Sequence, residues 1–257
     1  MAGQDTPVAL VTGSSRGIGA AIARRLASIG YRVVVNYLHS KQSAFTLVDE
    51  LNQQDPRAIA IRADVSNQAD RLRLIQETID AYGRIDVLVN NAGITSQGRR
   101  DLLEATEESW DNVFDTNLKG PFFISQMVSQ QMMDQPVLHP NIIINMSSIS
   151  AYAISENRAD YCIAKAGLEV MTKLFASRLA NHGILVYEIC PGVIESDMTE
   201  PVKEKYSKLI DKGLSPIRRW GTGEDVATAV EILASGRLTF TTGERLNVDG
   251  GFHIRRL

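Results

Sequence analysis

The feature that most constrains this chain is a regular alternation of short, continuously apolar segments with longer segments whose apolar residues recur at helical spacing. The apolar segments predict strands at residues 7–11, 32–37, 58–62, 85–90, 141–146, 183–190 and 245–248. Their apolar residues are contiguous, which is typical of parallel strands that are covered on both faces. Helices are predicted at residues 17–30, 43–53, 68–82, 109–133 and 161–181, the fourth broken near Gly120 and Pro121. This alternation predicts an α/β fold with a doubly wound parallel sheet of about seven strands and helices on both faces.

Composition and charge exclude several classes of protein. The chain has 257 residues and a net charge of −3, and 44% of its residues are hydrophobic, which is typical of a globular protein. We expect no nucleic-acid partner, because phosphate binding needs clustered Lys and Arg. We expect no membrane partner, because no apolar run approaches the ~20 residues that cross a bilayer. Residues 1–6 are polar, unlike a signal peptide, so a cytoplasmic protein is predicted.

The two cysteines, Cys162 and Cys190, stand outside any C-x-x-C pair, and the four histidines are scattered. We therefore expect no metal site. A disulfide between the cysteines is formally possible. The favoured interpretation is a reduced protein in which both are small apolar side chains.

A glycine-rich turn separates the first predicted strand from the first predicted helix. The glycines follow a G-x-x-x-G-x-G spacing at Gly13, Gly17 and Gly19. Glycines at this position let the backbone approach a pyrophosphate, and the helix N-terminus supplies N–H donors. A purely structural turn would show the same glycines, so the strand before it and the helix after it carry the prediction of a dinucleotide site.

Charge near this turn favours NADP(H) over NAD(H). A carboxylate after the second strand normally binds the ribose 2′-hydroxyl of NAD. Here no Asp or Glu occurs between Asp5 and Asp49, whereas Arg16 lies in the turn and Lys41 follows the second strand. A 2′-phosphate would be attracted by these cations. The alternative is that both are solvated surface charges.

Tyr161 and Lys165 are four residues apart in a predicted helix, which places them on one helical face. A nearby ammonium favours the phenolate and lowers the pKa of a tyrosine. Ser148 lies 13 residues before Tyr161 at the end of a predicted strand, where its hydroxyl could bond a substrate carbonyl. The pair by itself occurs by chance in many proteins as two exposed helix residues.

With these motifs in order, the whole chain resembles the short-chain dehydrogenase/reductase family, and most of all its 3-oxoacyl-acyl-carrier-protein reductase group. The resemblance implies one Rossmann-like domain over residues 1–257. The matching motifs are Thr12–Gly19, Asp64-Val65, Asn90–Gly93, Asn117, Ser148, Tyr161-x-x-x-Lys165, Pro191-Gly192, Arg219–Gly221, Glu224–Ala227 and Asn247–Gly251.

The resemblance also implies residue roles. Tyr161 would donate a proton in ketone reduction, Lys165 would lower the pKa of Tyr161 and bind the nicotinamide ribose, and Ser148 would orient the carbonyl. Asn117 would hold a water that returns protons to Lys165. Asp64 and Val65 would contact the adenine, Asn91 the adenosine side, and the Ile194 backbone the carboxamide. The implied cofactor-binding set is Gly13, Ser15, Arg16, Gly17, Ile18, Gly19, Tyr37, Leu38, Asp64, Val65, Asn91, Ala92, Gly93, Tyr161, Lys165, Pro191, Gly192, Ile194 and Ser196.

The leading functional prediction is NADPH-dependent reduction of a ketone to a secondary alcohol, with a 3-oxoacyl thioester as substrate. The alternatives are a dehydrogenase of sugars, polyols or steroids with the same chemistry, and a non-catalytic NADP(H)-binding sensor or scaffold. The substrate pocket is predicted at residues 94–101, 150–158 and 194–215. Arg99 and Arg100 would either meet an anionic carrier or form a solvated loop.

Two further expectations concern the surface. Residues 194–219 are the least regular stretch, and they are predicted either as a solvated excursion or as a substrate lid. The helix at residues 161–181 is apolar on more than one face, which predicts a homo-oligomer, a dimer or a tetramer.

Overall fold

The computed structural model describes residues 5–255; residues 1–4, part of the segment predicted not to be a signal peptide, and residues 256–257 lie outside the description. Seven strands form one sheet: β1 (Val8–Val11), β2 (Arg32–Tyr37), β3 (Ala58–Arg62), β4 (Val87–Asn90), β5 (Asn141–Met146), β6 (Ile184–Pro191) and β7 (Arg245–Val248). Eight α-helices accompany them in the described chain: α1 (Gly17–Ser28), α2 (Lys41–Leu51), α3 (Gln68–Tyr82), α4 (Glu107–Phe114), α5 (Gly120–Asp134), α6 (Ala159–Leu179), α7 (Lys203–Asp211) and α8 (Gly223–Ala234).

The strands are all parallel and lie in the order β3-β2-β1-β4-β5-β6-β7. The order reverses beside β1, whose Leu10 pairs with Val34 of β2 on one side and with Leu88 of β4 on the other. A reversal of this kind opens a crevice at the carboxyl ends of the strands, where such sheets bind ligands. The predicted doubly wound fold is confirmed.

Two apolar layers cover the sheet. Side chains of α1, α2 and α8, among them Ile22, Leu47 and Val230, pack on the face that carries Ala9 and Val11. Side chains of α3, α5 and α6 pack on the opposite face, which carries Leu10. Burial on both faces explains why the strands are continuously apolar.

Local signals set several helix ends. The Asn67 side chain caps α3 by accepting from the N–H of Asp70, and α3 ends at Gly83 with a left-handed φ of 77°. Thr222 and Asp225 form a reciprocal capping box at the start of α8. A π-helical turn at Asp115–Lys119 joins α4 to α5 at the predicted break, directly before Gly120 and Pro121.

The structure departs from the predicted elements at several element ends and in two helices. Helix α2 begins at Lys41 rather than residue 43, and β4 begins at Val87 rather than residue 85. Helix α7 lies inside the stretch predicted to be irregular. Helix α8 was not predicted, although its capping box is a readable helix start. Both cysteines are free, and no described helix is long and apolar enough to span a bilayer.

Candidate active site

The carboxyl edge of the sheet forms one cleft of about 910 Å³. All of the predicted cofactor-binding residues line it, from Gly13 in the glycine turn to Ser196 after β6. Ser148, Tyr161 and Lys165 line the same cleft, whereas Asn117 lies just behind it. The fold thus brings together residues that are spread over most of the chain.

The glycine turn is held rigidly at the start of α1. The N–H of Gly13 donates to Asn36 Oδ1 at 3.0 Å, and Asn91 Nδ2 donates to the carbonyls of Thr12 and Gly13 at 2.9 and 3.0 Å. Gly13 has φ 60°, and a Cβ there would lie 2.8 Å from Ala92 Cα. Only glycine fits this position, so the backbone and the α1 N-terminus stay open to a phosphate, as a nicotinamide dinucleotide requires.

Asn36 is a functional residue that the sequence analysis missed. Its Nδ2 also donates to the carbonyls of Ile61 and Ala63, so one buried amide ties β2 to β3 and to the glycine turn. A lone amide inside the apolar run Val33–Tyr37 was the available signal.

The end of the cleft near β2 and β3 carries no carboxylate in the position that binds a ribose hydroxyl, since β2 ends at Tyr37 and Leu38 follows. The Asp64 carboxylate accepts hydrogen bonds from both the N–H and the hydroxyl of Ser66. Arg62 Nε donates to the Leu38 carbonyl at 3.2 Å, which brings another cation to this end. Arg16 pairs with Asp197 at 3.0 Å across the cleft mouth.

Two adjacent serines, Ser147 and Ser148, follow β5 and make different contacts. Ser147 Oγ donates to the Lys165 carbonyl and is buried, so it ties the strand to α6. Ser148 Oγ accepts from the N–H of Ser150 at 3.1 Å, so its own proton can donate on the cleft side, toward Tyr161 or a ligand. Of the two hydroxyls, that of Ser147 is thus occupied by the backbone of α6, whereas that of Ser148 lines the cleft.

Tyr161 and Lys165 lie on one face of α6, and both are buried. Lys165 Nζ lies 5.7 Å from the centre of the Tyr161 ring and donates to the Met146 carbonyl at 2.7 Å. Burial lowers the pKa of Lys165 to about 8. This lowering arises because a buried ammonium loses its hydration.

The pKa of Tyr161 is raised, which is the opposite of the predicted direction. Burial is the main cause, and the hydrogen bond with Ser148 and the charges of Arg158 and Arg99 oppose it without cancelling it. The prediction considered only the ammonium and not the loss of water around the phenol. Near neutral pH the phenol therefore holds its proton, which is the state that a proton donor needs.

Asn117 lies in the π-helical turn and is fully buried. Its Oδ1 accepts from the N–H of Ile94, and its Nδ2 donates to the Ile94 carbonyl, both at 2.8 Å. A Cβ placed on Gly93 would lie 3.2 Å from Asn117 Oδ1 and 3.6 Å from Lys165 Nζ. The wider turn thus delivers an amide to the space beside Lys165.

The segment after β6 forms the opposite wall. A Cβ on Gly192 would lie 2.6 Å from Asp249 Cα, so Pro191 and Gly192 turn tightly against the chain after β7. The backbone of Ile194 forms a bridge with Gly221, and Ser196 is fixed through its N–H to Thr199 Oγ1 at 3.0 Å. These contacts hold the wall that faces the glycine turn.

The substrate end differs in part from the predicted pocket. Residues 94–99, 150, 158, 194, 196–199, 202 and 206 line the cleft, whereas Arg100, Asp101, residues 151–157, Glu195 and residues 207–215 do not. Helix α4 contributes Ser109, Asn112 and Val113, which the sequence analysis missed. Within residues 5–255 no cluster of three metal-ligating side chains occurs.

Asp160 is a second missed residue. Its buried carboxylate accepts from the hydroxyls of Ser96 and Ser109 and, at 2.7 Å, from the N–H of Tyr161. One side chain therefore couples the loop before α4, helix α4 and the first turn of α6. An acidic residue directly before the tyrosine was the available signal.

Comparison with known proteins agrees with this geometry. The family model described as enoyl-(acyl carrier protein) reductase matches residues 13–253. The 3-oxoacyl-acyl-carrier-protein reductase FabG of Staphylococcus epidermidis is 40% identical over 246 residues, 96% of this chain and 98% of that protein. The 3-oxoacyl-acyl-carrier-protein reductase of Synechocystis is 42% identical over 248 residues, 95% of this chain and 96% of that protein.

A solved structure gives the same result. It is a 3-oxoacyl-acyl-carrier-protein reductase from Brucella melitensis in complex with NAD, with a TM-score of 0.94, 39% identity, and coverage of 98% of this chain and 99% of that one. The chain therefore belongs to the short-chain dehydrogenase/reductase family, and it is a nicotinamide-dependent oxidoreductase.

Proposed function

We propose that this protein reduces a 3-oxoacyl thioester to the 3-hydroxyacyl thioester with NADPH. The observation that carries the proposal is the convergence of Ser148, Tyr161 and Lys165 on one cleft with the glycine turn. The relatives named for this reaction support the substrate class. A sensor or scaffold would not need a protonated, buried tyrosine at the end of the dinucleotide cleft.

The nicotinamide ring, when bound, supplies the hydride that reaches the carbonyl carbon. Residues of the chain bind and protonate the carbonyl oxygen of the substrate. The Ser148 hydroxyl donates to the carbonyl oxygen and stabilises charge that develops there. Tyr161 gives its proton to that oxygen, and the Lys165 ammonium stabilises the phenolate that remains. Asn117, beside Lys165, would support return of a proton from water.

The preference for NADPH is part of the proposal. It is supported by the absence of a carboxylate after β2 and by the cations Arg16, Lys41 and Arg62 near that end of the cleft. Arg16 is more than half exposed in its pair with Asp197, and exposed pairs contribute little stability. A 2′-phosphate can therefore draw Arg16 away from Asp197. Kinetics with both coenzymes test this, and a KM for NADH as low as that for NADPH would contradict it.

Residues 194–219 are proposed as the substrate lid. Ile194, Met198, Val202 and Tyr206 of this segment line the cleft, and Lys203 pairs with Glu195 at 2.8 Å on its outer side. The segment follows the carboxyl end of β6, where loops of α/β sheets cover ligands. Its helix α7 gives the lid a rigid body, unlike the irregular excursion predicted as the alternative.

A homo-oligomer is proposed from the outer face of α6. Ile163, Val170 and Leu174 lie along one stripe of this helix and are 49%, 59% and 60% exposed. Phe122 and Phe123 of α5 add aromatic surface that is less exposed. A second copy of the chain would remove this apolar surface from water. We also propose a cytoplasmic location.

The deciding experiment is Tyr161→Phe. NADPH oxidation with acetoacetyl thioesters, small diketones and sugars is measured for the parent protein and the variant. We expect the thioester rate to fall about 10²- to 10⁴-fold, because the proton donor is lost. Tyr82→Phe is the matched control, since the Tyr82 hydroxyl bonds only the Arg57 carbonyl in the described structure, away from the cleft. An unchanged rate in Tyr161→Phe would refute the mechanism, and a parent protein inert toward every thioester would refute the substrate.

A further inference from the structure

Two guanidinium groups lie at the substrate end of the cleft beside Tyr161. The Arg158 Cζ atom lies 5.3 Å from the centre of the Tyr161 ring. Arg158 Nη2 donates to Ser150 Oγ at 3.2 Å, and Arg99 Nη2 donates to the Met198 carbonyl at 3.1 Å. Both arginines are half-buried and line the cleft.

Neither cation is balanced by a carboxylate within residues 5–255. Every hydrogen bond described for their side chains ends on a hydroxyl or a carbonyl oxygen. Burial lowers the pKa of Arg99, and the positive charge of Arg158 lowers it further. The two groups thus repel each other in a partly dry site, and a bound anion would remove that repulsion.

The backbone also holds Arg99 in an unusual way. Arg99 has φ 47°, and it is the one non-glycine residue with positive φ in the described chain. Such a conformation is strained for a residue with a Cβ, and conformations of this kind cluster at ligand sites. Here the strained turn at Gly98 and Arg99 directs a guanidinium into the cleft rather than into solvent.

The position of the pair restricts what the anion can be. A carrier phosphate is separated from the reacting carbonyl by the whole pantetheine arm, whereas Arg158 lies against the ring of the proton donor. Arg100, the neighbour that could meet such a carrier, is exposed and does not line the cleft. The anion that Arg99 and Arg158 face therefore belongs to the reacting part of the substrate.

We propose that Arg99 and Arg158 form an anion subsite for the carboxylate of an oxo acid whose ketone lies at Ser148 and Tyr161. The planar fork of a guanidinium matches a carboxylate. The proposal rests on the proposed ketone reduction and adds a substrate class to it. The C=O bond becomes CH–OH with a hydride from the nicotinamide coenzyme and a proton from Tyr161, and the carboxylate is unchanged. The oxo acid is either free or the acyl chain of a thioester that ends in a carboxylate.

The kinetic test compares acids with their neutral esters. NADPH oxidation is followed with 4-oxopentanoate and 5-oxohexanoate, with their methyl esters, and with acetoacetyl and 3-oxoadipyl thioesters of N-acetylcysteamine. The readout is the ratio of kcat/KM between each anionic substrate and its neutral counterpart. We expect Arg99→Gln and Arg158→Gln each to lower this ratio about 10- to 100-fold, the usual loss for a charge-assisted hydrogen bond.

The matched control is Arg100→Gln, which removes the adjacent exposed arginine and should leave the ratio as it is. A lowered ratio for the free acids supports a free oxo acid as the source, and a lowered ratio only for the 3-oxoadipyl thioester supports an acyl chain. A ratio unchanged by both Arg99→Gln and Arg158→Gln overturns the subsite while the reduction of neutral thioesters stands.

A binding measurement decides the question without turnover. Malonate, a carboxylate that cannot be reduced, is titrated calorimetrically into the protein loaded with NADP⁺. Binding that weakens about tenfold or more in Arg99→Gln and Arg158→Gln but not in Arg100→Gln supports the subsite. Equal binding by all three variants and the parent overturns it, even if no ketone at all is reduced and the proposed function itself has failed.

Discussion

The buried charge of Lys165 should destabilise the folded protein at neutral pH, and the substitution Lys165→Met tests this prediction. The side chain is buried, its ammonium donates to the Met146 carbonyl at 2.7 Å, and burial lowers its pKa from 10.5 to about 8. At pH 7 the folded protein therefore carries a charge whose burial costs about 3 kcal/mol relative to the unfolded chain. Methionine has a similar length and no charge to desolvate.

The size of the gain follows from two opposing contributions. Replacement by methionine removes the cost of about 3 kcal/mol and loses the charge-assisted hydrogen bond to the Met146 carbonyl, which is worth about 2 kcal/mol. We therefore expect Lys165→Met to raise the free energy of unfolding by about 1 kcal/mol at pH 7. Ketone reduction should be abolished in the same variant.

The pH dependence gives the sharper signature. Between pH 8 and pH 10.5 the unfolded chain binds a proton at Lys165 that the folded protein does not, so the stability of the parent protein rises with pH in this window. The advantage of Lys165→Met must shrink over the same window, because the parent lysine then folds uncharged.

Urea unfolding at fixed protein concentration, without coenzyme, measures both effects. Lys173→Met is the matched control on the same helix, since Lys173 is exposed and pairs with Glu169 at 2.7 Å. It should show neither the gain at pH 7 nor the change above pH 8. A Lys165→Met variant that is no more stable than the parent at pH 7, or whose advantage is constant from pH 8 to 10.5, would refute the reasoning.

Two further predictions concern the turn and the surface. Gly13→Ala should destabilise the fold by about 2–3 kcal/mol and weaken dinucleotide binding in fluorescence titration, because its Cβ would meet Ala92 at φ 60°. Gly83→Ala, at φ 77° with open space around it, should cost only about 1 kcal/mol and leave binding intact; equal losses would contradict the clash. Leu174→Glu should lower the mass measured by light scattering to that of the monomer, because a charge replaces the exposed apolar centre of α6. An unchanged mass, or a parent protein that is already monomeric, would contradict the proposed interface.

The sequence predicted the sheet well because the signal was local. Contiguous apolar runs such as Val33–Val35 and Ile142–Ile144 indicate buried parallel strands without reference to distant residues. All seven predicted strands are present. Helix α8 was missed although Val226, Val230 and Leu233 recur at helical spacing after its capping box, whereas α7 follows a weaker pattern. Helix α7 is short and mostly polar, and Ile210 is its one buried side chain. A single buried residue gives no helical periodicity in the sequence, so the segment looks like a solvated loop.

The site was predictable in its parts and not in its electrostatics. The spacing of Tyr161 and Lys165 predicts that they share a helical face, and they do. The spacing does not show how deeply that helical face is buried. Burial raises the pKa of Tyr161, whereas the sequence analysis expected the pKa to be lowered. Asn36 and Asp160 act through partners far away in the sequence, Gly13 and Ser96 among them, so their tasks required the fold.

The raised pKa of Tyr161 bears on the direction of catalysis. Reduction needs the phenol protonated and oxidation needs the phenolate, so burial of Tyr161 favours reduction at neutral pH. Arg99 and Arg158 oppose that effect, because their charges stabilise the phenolate. A carboxylate bound between them would compensate their charges and so raise the pKa of Tyr161 further. A bound oxo acid would thus help to keep Tyr161 protonated, which is the state that reduction of the oxo acid requires. A neutral hydroxy compound would leave the charges of Arg99 and Arg158 uncompensated, and these charges favour the phenolate that oxidation requires.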